Sequence, residues 1–290
     1  MFQKNFEIAK DAPPPMAWTN YEKLILEEWK TLLSSGKFKD EKRFQDFFEQ
    51  HPCMLSGVYG LLSSPDVFPS ALISKPVLPD FTRKIPDFMW ITFDSVNIYP
   101  ILIEIESPAK QWFTEKGRPR AALTQAHDQL KEWKTWFSKP RNAASFADYY
   151  NLPPGLRGLF LKPSYALIYG RRGEANRNTH LAEKRTHLQG ENEFLMTFDR
   201  LKPSPNASHV ISIKIDKDGY YAISIPPTIY LDPFTVKERW RLVRHKEEAA
   251  MVSPYLSKER REFLIKRFKY WDDWANNLSG GIYYTSNDRE

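Results

Sequence analysis

The chain has 290 residues, 41% of them hydrophobic and 14% aromatic, enough for a sizeable core in one large domain or a domain with an appendage. Its single cysteine, Cys53, excludes an intramolecular disulfide framework and points to a reducing, cytoplasmic setting; no uninterrupted apolar run approaches the ~20 residues of a membrane span. The net charge of +6 suits a polyanionic partner without establishing one.

The opening stretch lacks the apolar centre of a signal peptide, and Lys10-Asp11-Ala12-Pro13-Pro14-Pro15 predicts an extended arm. A helix is expected over Tyr21–Leu33, capped by Thr19 or Asn20, with Gly36 just past its end. Asp40 is suited to cap a second helix, Glu41–Gln50, stopped before Pro52. Phe44 and Phe48 form the apolar stripe of that helix, and Glu41 lies on the same stripe. It either serves the favourable first turn or belongs to a site. The stretch Ser56–Leu78 reads as loop-rich. Two strands, Asp87–Phe93 and Ile98–Glu106, then read as a hairpin turning through Asp94-Ser95-Val96-Asn97.

A helix over Ala121–Phe137 follows, with Leu123, Ala126, Leu130, Trp133 and Phe137 on its apolar side and Pro140 beyond its end. Tyr165–Tyr169 reads as a buried strand broken by Gly170-Arg171-Arg172-Gly173. A helix around Glu183-Lys184-Arg185 and a short strand, Phe194–Thr197, come next. Strands His209–Ile215 and Tyr220–Ile225 are joined by the turn signal Lys217-Asp218-Gly219. From about Thr235 the pattern becomes helical, and the Leu264, Phe268 and Trp271 stripe reads as packing or an oligomer contact.

The chemistry concentrates in Ile101-Leu102-Ile103-Glu104-Ile105-Glu106. Strand alternation sends Leu102, Glu104 and Glu106 to one side and the isoleucines to the other. Two carboxylates beside a core repel each other and are costly to desolvate, a conflict that a divalent cation resolves. Ile85-Pro86-Asp87-Phe88 brings a third carboxylate at the start of the neighbouring strand. The histidines form no HExxH or zinc pattern, and no Walker A or GxSxG sequence is present. Glu104 and Glu106 project side by side, unlike a glycosidase pair flanking a sugar.

The order of these motifs resembles the Shedu anti-phage defence proteins, which carry a PD-(D/E)xK-type nuclease domain. The resemblance runs from Glu41 to Pro233. It starts at Glu41–Phe48 with His51-Pro52, then takes in Ile85–Phe88, Leu102–Pro108, Phe113–Gly117, and Leu123–Ala126 with Gln129 and Trp133. Ala166–Arg171 and Thr197–Leu201 complete it. The general nuclease pattern has lysine two residues after the acid, where this chain has Glu106; Lys110 and Lys116 are the loop lysines able to supply positive charge. The resemblance implies an α/β fold: a PD-(D/E)xK nuclease-like core, with a central mixed sheet flanked by helices and a C-terminal helical appendage. The expected division is an arm and helix at 1–36, the nuclease domain at 37–233 and the appendage at 234–290.

In this reading Asp87, Glu104 and Glu106 hold Mg²⁺, or Mn²⁺, for hydrolysis of DNA. Glu41 joins through water, Gln125 orients water, and Lys116 stabilises charge in the transition state. Arg83, Lys84, Arg118, Arg120, Gln129, Arg171 and Arg172 contact the nucleic acid. The resemblance also implies a homo-oligomer, with a tetramer as the expected state. The alternatives are a catalytically silent nucleic-acid-binding or sensor module of the same fold, and a structural or oligomerising subunit.

Overall fold

A computed structural model describes residues 6–34, 40–55, 66–80, 85–174, 179–233, 240–277 and 290. Helix α1, Trp18–Ser34, begins a little before the expected start, so Thr19 and Asn20 lie inside it; it buries Tyr21, Ile25 and Trp29 at helical spacing. Helix α2, Glu41–Gln50, is capped as expected: the Asp40 carboxylate accepts from Lys42 N at 3.1 Å. Phe44, Phe47 and Phe48 anchor it, and Trp29 of α1 stacks on Phe47 with centroids 5.2 Å apart.

Strand β1, Asp66–Ser74, runs through the segment expected to be loop. Its sequence masks it, because Pro69 reads as a strand breaker. The strand absorbs the proline in an irregularity between Phe68 and Ile73, where Ser70 takes a positive φ of 63°. β2, Phe88–Phe93, and β3, Asn97–Ile105, form the expected antiparallel hairpin. The Asp94 carboxylate accepts from Val96 N and Asn97 N, each at 2.7 Å, which closes the turn. Helix α3, Ala121–Phe137, is followed directly by α4, Pro140–Tyr149, because Pro140 opens a new helix as its first residue. The short α5, Pro154–Arg157, β4, Phe160–Leu161, and β5, Ser164–Ile168, come next. Then follow α6, Thr179–Thr186, β6, Glu193–Met196, β7, Ile211–Asp216, and β8, Gly219–Ser224.

The C-terminal part is helical as expected, with α7, Lys246–Val252, and α8, Lys258–Asn276, preceded by a short strand β9, Val243–Arg244. Trp240 and Val243 are buried, which seats this stretch on the sheet edge beside β8. The nine strands form one mixed sheet, ordered β6-β5-β3-β2-β1-β7-β8-β9, with β4 beside β3. Pairs β1–β2, β2–β3 and β7–β8 are antiparallel; β1–β7, β3–β5, β5–β6 and β8–β9 are parallel.

The two faces carry separate cores. Ile101, Ile103 and Ile105 pack with Trp90, Phe88 and the aromatic residues of α1 and α2. Leu102, Met89 and Leu167 pack under Leu130 and Trp133 of α3, together with Leu264, Phe268 and Trp271 of α8. β3 is therefore buried on both sides from Pro100 to Ile103, and the acidic residues begin at Glu104. Among the described residues no helix is long and apolar enough to cross a membrane.

A candidate metal centre at the end of the central strands

The site lies where β3 leaves the sheet. Phe88 pairs with Ile103 and Asp87 N donates to Ile103 O at 3.0 Å, so Asp87 stands opposite Glu104 on the face that Leu102 shares. On the other side Glu104 pairs with Leu167, and Glu106 N donates to Ile168 O at 2.9 Å, which carries the strand geometry to the second glutamate. Together they line a basin of about 390 Å³ with Glu41, Gln45 and Glu49 of α2. Those three recur every fourth residue, which places them on one helix face above the strand ends.

Each carboxylate has a distinct environment. Asp87 Oδ2 accepts from Ile105 N at 2.7 Å, while Oδ1 is ion-paired with Lys75. Burial raises the Asp87 pKa, and Lys75 opposes the rise. Glu104 is pushed up to about 9, first by burial and then by the charges of Asp87 and Glu106; a hydrogen bond from Gln129 works the other way. Its Oε2 is buried without a hydrogen-bond partner. Glu106 is also raised by burial, against the pull of Lys110. Lys110 bridges Glu106 and Glu41, the latter at 2.8 Å; although burial disfavours its charge, the two carboxylates hold its pKa above the ordinary lysine value.

The second half of the basin is a polar chain. Glu49 Oε1 accepts from Ser74 Oγ at 2.5 Å and from Gln45 Nε2 at 3.1 Å, and Lys214 Nζ of β7 lies 3.3 Å away. Sequence reasoning missed Gln45, Glu49, Lys75 and Lys214. The four-residue spacing from Glu41 was the available signal for the first two. The lysines depend on β1 and β7 being neighbours of the hairpin, which the sequence does not disclose.

The remaining expected residues separate into groups. Gln129 reaches Glu104 from α3, so it orients a carboxylate within the site. Gln125, four residues earlier and about 6 Å further along the axis, is exposed and does not line the basin. Lys116 is exposed on the turn closed by Gly117 N and Thr114 O at 2.9 Å, and it does not line the basin either. The turn curls back on itself through the Phe113–Pro119 bridge, which keeps Lys116 at its tip. Arg118 is exposed on the same turn, and Arg120 donates to Phe113 O at 3.0 Å and Gln111 Oε1 at 2.5 Å. Arg171 pairs with Asp199 at 2.7 Å, and Arg172 is exposed beside it. Arg83 and Lys84 lie outside the described residues.

The donor set suits a hard cation in chemistry: three carboxylates converge, and one buried oxygen lacks a partner. As placed, they do not form a finished cage. Among the described residues no three His, Cys, Asp or Glu side chains are arranged to hold a metal ion, because Asp87 and Glu106 are turned onto lysines. Lys75 and Lys110 supply the neutralising charge in this arrangement.

Comparison with known proteins adds one identification. No curated protein matches the chain. The model of the family described as Shedu protein SduA, C-terminal, matches residues 39–201, which hold α1's partner helix α2, the acidic strand and every carboxylate of the basin. The chain therefore belongs to the Shedu SduA family, a membership that implies a role in anti-phage defence.

Proposed function

We propose that this chain hydrolyses DNA phosphodiester bonds with a divalent metal, Mg²⁺ or Mn²⁺, held by Asp87, Glu104 and Glu106, and that this is its part in anti-phage defence. The observation that carries the reading is Glu104: a half-buried carboxylate, between two others, whose Oε2 is fully buried and unsatisfied. Such a group is expensive in a purely structural role, since an unpaired buried carboxylate costs several kcal/mol or must stay protonated. When bound, the ion supplies charge neutralisation at the phosphate and an acidified water.

The chain's own residues do the rest. Ile105 N fixes the rotamer of Asp87, and Gln129 holds one side of Glu104, so both donors are aimed before any ligand arrives. Lys75 and Lys110 must leave their carboxylates for these to become ligands. Their side chains are 48% and 33% exposed on flexible stems, which makes that exchange accessible. Once displaced, Lys110 remains beside the basin and can meet phosphate charge. Glu41 and Gln45 form the opposite wall, where they can orient water. The proposal extends to a homo-oligomer, an extension that rests on the family resemblance.

The two lysines also support a second reading, a nucleic-acid-binding module without cleavage, because they already neutralise the acids. An Mg²⁺-dependent assay on circular, linear and single-stranded DNA separates the readings. Cleavage that EDTA and Asp87→Ala both abolish supports the nuclease. DNA affinity with no cleavage of any substrate supports the silent binder.

A further inference from the structure

The far half of the acidic basin is built around Glu49, and it presents a cation that the three metal-binding carboxylates do not engage. Ile73 of β1 pairs with Ile213 of β7, and both belong to the core on the α3 side. Strand alternation therefore turns the next residues, Ser74 and Lys214, to the face that α2 covers. There Glu49 ties α2 to two strands. Its Oε1 accepts from Ser74 Oγ of β1 at 2.5 Å and from Gln45 Nε2 at 3.1 Å. Its main-chain O accepts from Ser224 Oγ of β8, also at 2.5 Å. Both serines are buried, so this bracket is rigid, and Lys214 Nζ stands 3.3 Å from the same Oε1.

Lys214 differs from the other lysines around the carboxylates. Lys75 closes on Asp87, and Lys110 on Glu106 and Glu41, so each must move before its carboxylate can take a ligand. Lys214 need not move. Among the described residues its one ion pair is with Glu49, on an oxygen that already takes two other donors. An ammonium has three hydrogens, so two remain for a ligand. The side chain is 34% exposed and lines the same basin as Asp87, Glu104 and Glu106. A fixed cation on the wall of a basin rich in carboxylates offsets the charge that a phosphate brings in. Lys214 also lies beyond residues 39–201, the part matched to the family, so family membership does not supply its role.

We propose that Lys214 is a further catalytic residue, whose ammonium takes a non-bridging oxygen of the DNA phosphate lying in the basin. Its part in cleavage rests on the nuclease reading above; the phosphate contact does not. Glu49 is the positioning residue. With Ser74 and Gln45 occupying its Oε1, it holds the lysine loosely enough to share its charge and firmly enough to aim it. The phosphate is then met by the metal on the Glu104 side and by Lys214 from β7, so charge that builds on the phosphate oxygens in the transition state has a cation already in place.

The test combines binding of a fluorescent duplex oligonucleotide in EDTA, at several salt concentrations, with single-turnover cleavage of the same duplex in Mg²⁺. Lys214→Gln is expected to weaken metal-free binding roughly 3- to 10-fold and to lower the log–log salt slope by about 0.9, one phosphate contact. Its cleavage rate at saturating DNA should fall on the order of 100-fold. Lys214→Arg keeps the charge and should retain wild-type affinity and slope. Lys266→Gln removes the same charge from the exposed side of α8, away from the basin, and should match wild type throughout. Unchanged affinity and slope in Lys214→Gln overturns the proposal, and does so whether or not wild type cleaves. Equal losses in Lys214→Gln and Lys214→Arg also overturn it, since they assign Lys214 a structural role. If wild type cleaves no DNA while Lys214→Gln alone loses affinity and slope, the nuclease reading fails and the phosphate contact stands.

Discussion

Lys75, at the end of β1, closes on Asp87, at the start of β2, and its own backbone N donates to Asp87 O at 2.8 Å. Main chain and side chain thus fasten the two strand ends together at the one carboxylate that also receives Ile105 N. The ammonium stands where a cation would have to stand for Asp87 to act as a ligand. Metal and lysine compete for one carboxylate, and several outcomes can be measured.

Replacing Glu104 by Gln should stabilise the metal-free protein at neutral and alkaline pH. The folded-state pKa of Glu104 is pushed up to about 9 from an ordinary 4.5, so the folded chain holds a proton there that the unfolded chain releases. Its favourable contribution is complete below about pH 4.5 and lost as pH rises to about 9. The Gln variant escapes that loss, gaining on the order of 2–3 kcal/mol at pH 7 and little at pH 4. Urea unfolding of both proteins across pH 4–9 checks the crossing; a constant difference over that range would contradict it.

Glu193 should behave in the opposite sense. Although burial opposes its ionisation, His127 at 2.6 Å, Lys134 at 2.7 Å and the Gly190 N–H bring its pKa down to about 2. A depressed carboxylate stabilises the fold above its unfolded pKa and loses that contribution as pH falls through about 4.5 towards 2. Glu193→Gln should cost roughly 1–3 kcal/mol at pH 7, and the gap to wild type should narrow steadily below pH 4.5. The comparison is thermal unfolding at stepped pH.

Divalent metal should raise the melting temperature of wild type. At 100 times its Kd the ion adds about 2.7 kcal/mol to folding, which is a shift of a few degrees for a chain of this size. Lys75→Met should bind Mn²⁺ more tightly than wild type, because a competing charge is gone, and Glu104→Gln should lose most of the shift. Titration calorimetry with Mn²⁺ gives the affinities directly. Equal affinity in Lys75→Met and wild type would remove the competition argued from the ion pair.

Gly170→Ala should be severe. The added Cβ meets Lys110 O at 2.5 Å and Trp112 Nε1 at 3.0 Å, at a backbone conformation that L residues rarely adopt. A loss of roughly 1–3 kcal/mol is expected, with weaker DNA binding because Lys110 shifts. Chemical unfolding beside a DNA titration checks both parts.

Much of this arrangement is legible in the amino-acid order, for reasons that can be named. The two-residue period of Ile101–Glu106 separates the isoleucines from the glutamates, and the hairpin turn at Asp94 brings Asp87 opposite Glu104. Glu41 on the phenylalanine stripe of α2 reaches the basin because that stripe packs directly on the strand. What was hidden depended on partners distant in sequence. Pro69 disguised β1, and with it Lys75, whose role exists only because β1 is the neighbour of β2. Lys214 required the parallel pairing of β1 and β7, which no local signal records. Gln125 and Gln129 share a helix face, yet only the deeper one meets Glu104. Lys116 looked available because loop position says little about which way a turn folds back.

We propose that Asp87, Glu104 and Glu106 act together as one metal-dependent cleavage centre. The most direct measurement pairs Glu104→Gln with wild type, recording Mg²⁺-dependent cleavage of circular and linear DNA and DNA affinity in EDTA on the same preparations. The variant is expected to lose cleavage while binding DNA in EDTA as well as wild type, since metal-free Glu104 already holds a proton at neutral pH. Wild-type rates of cleavage in the variant, or no metal-dependent cleavage of any nucleic acid by wild type, would contradict it.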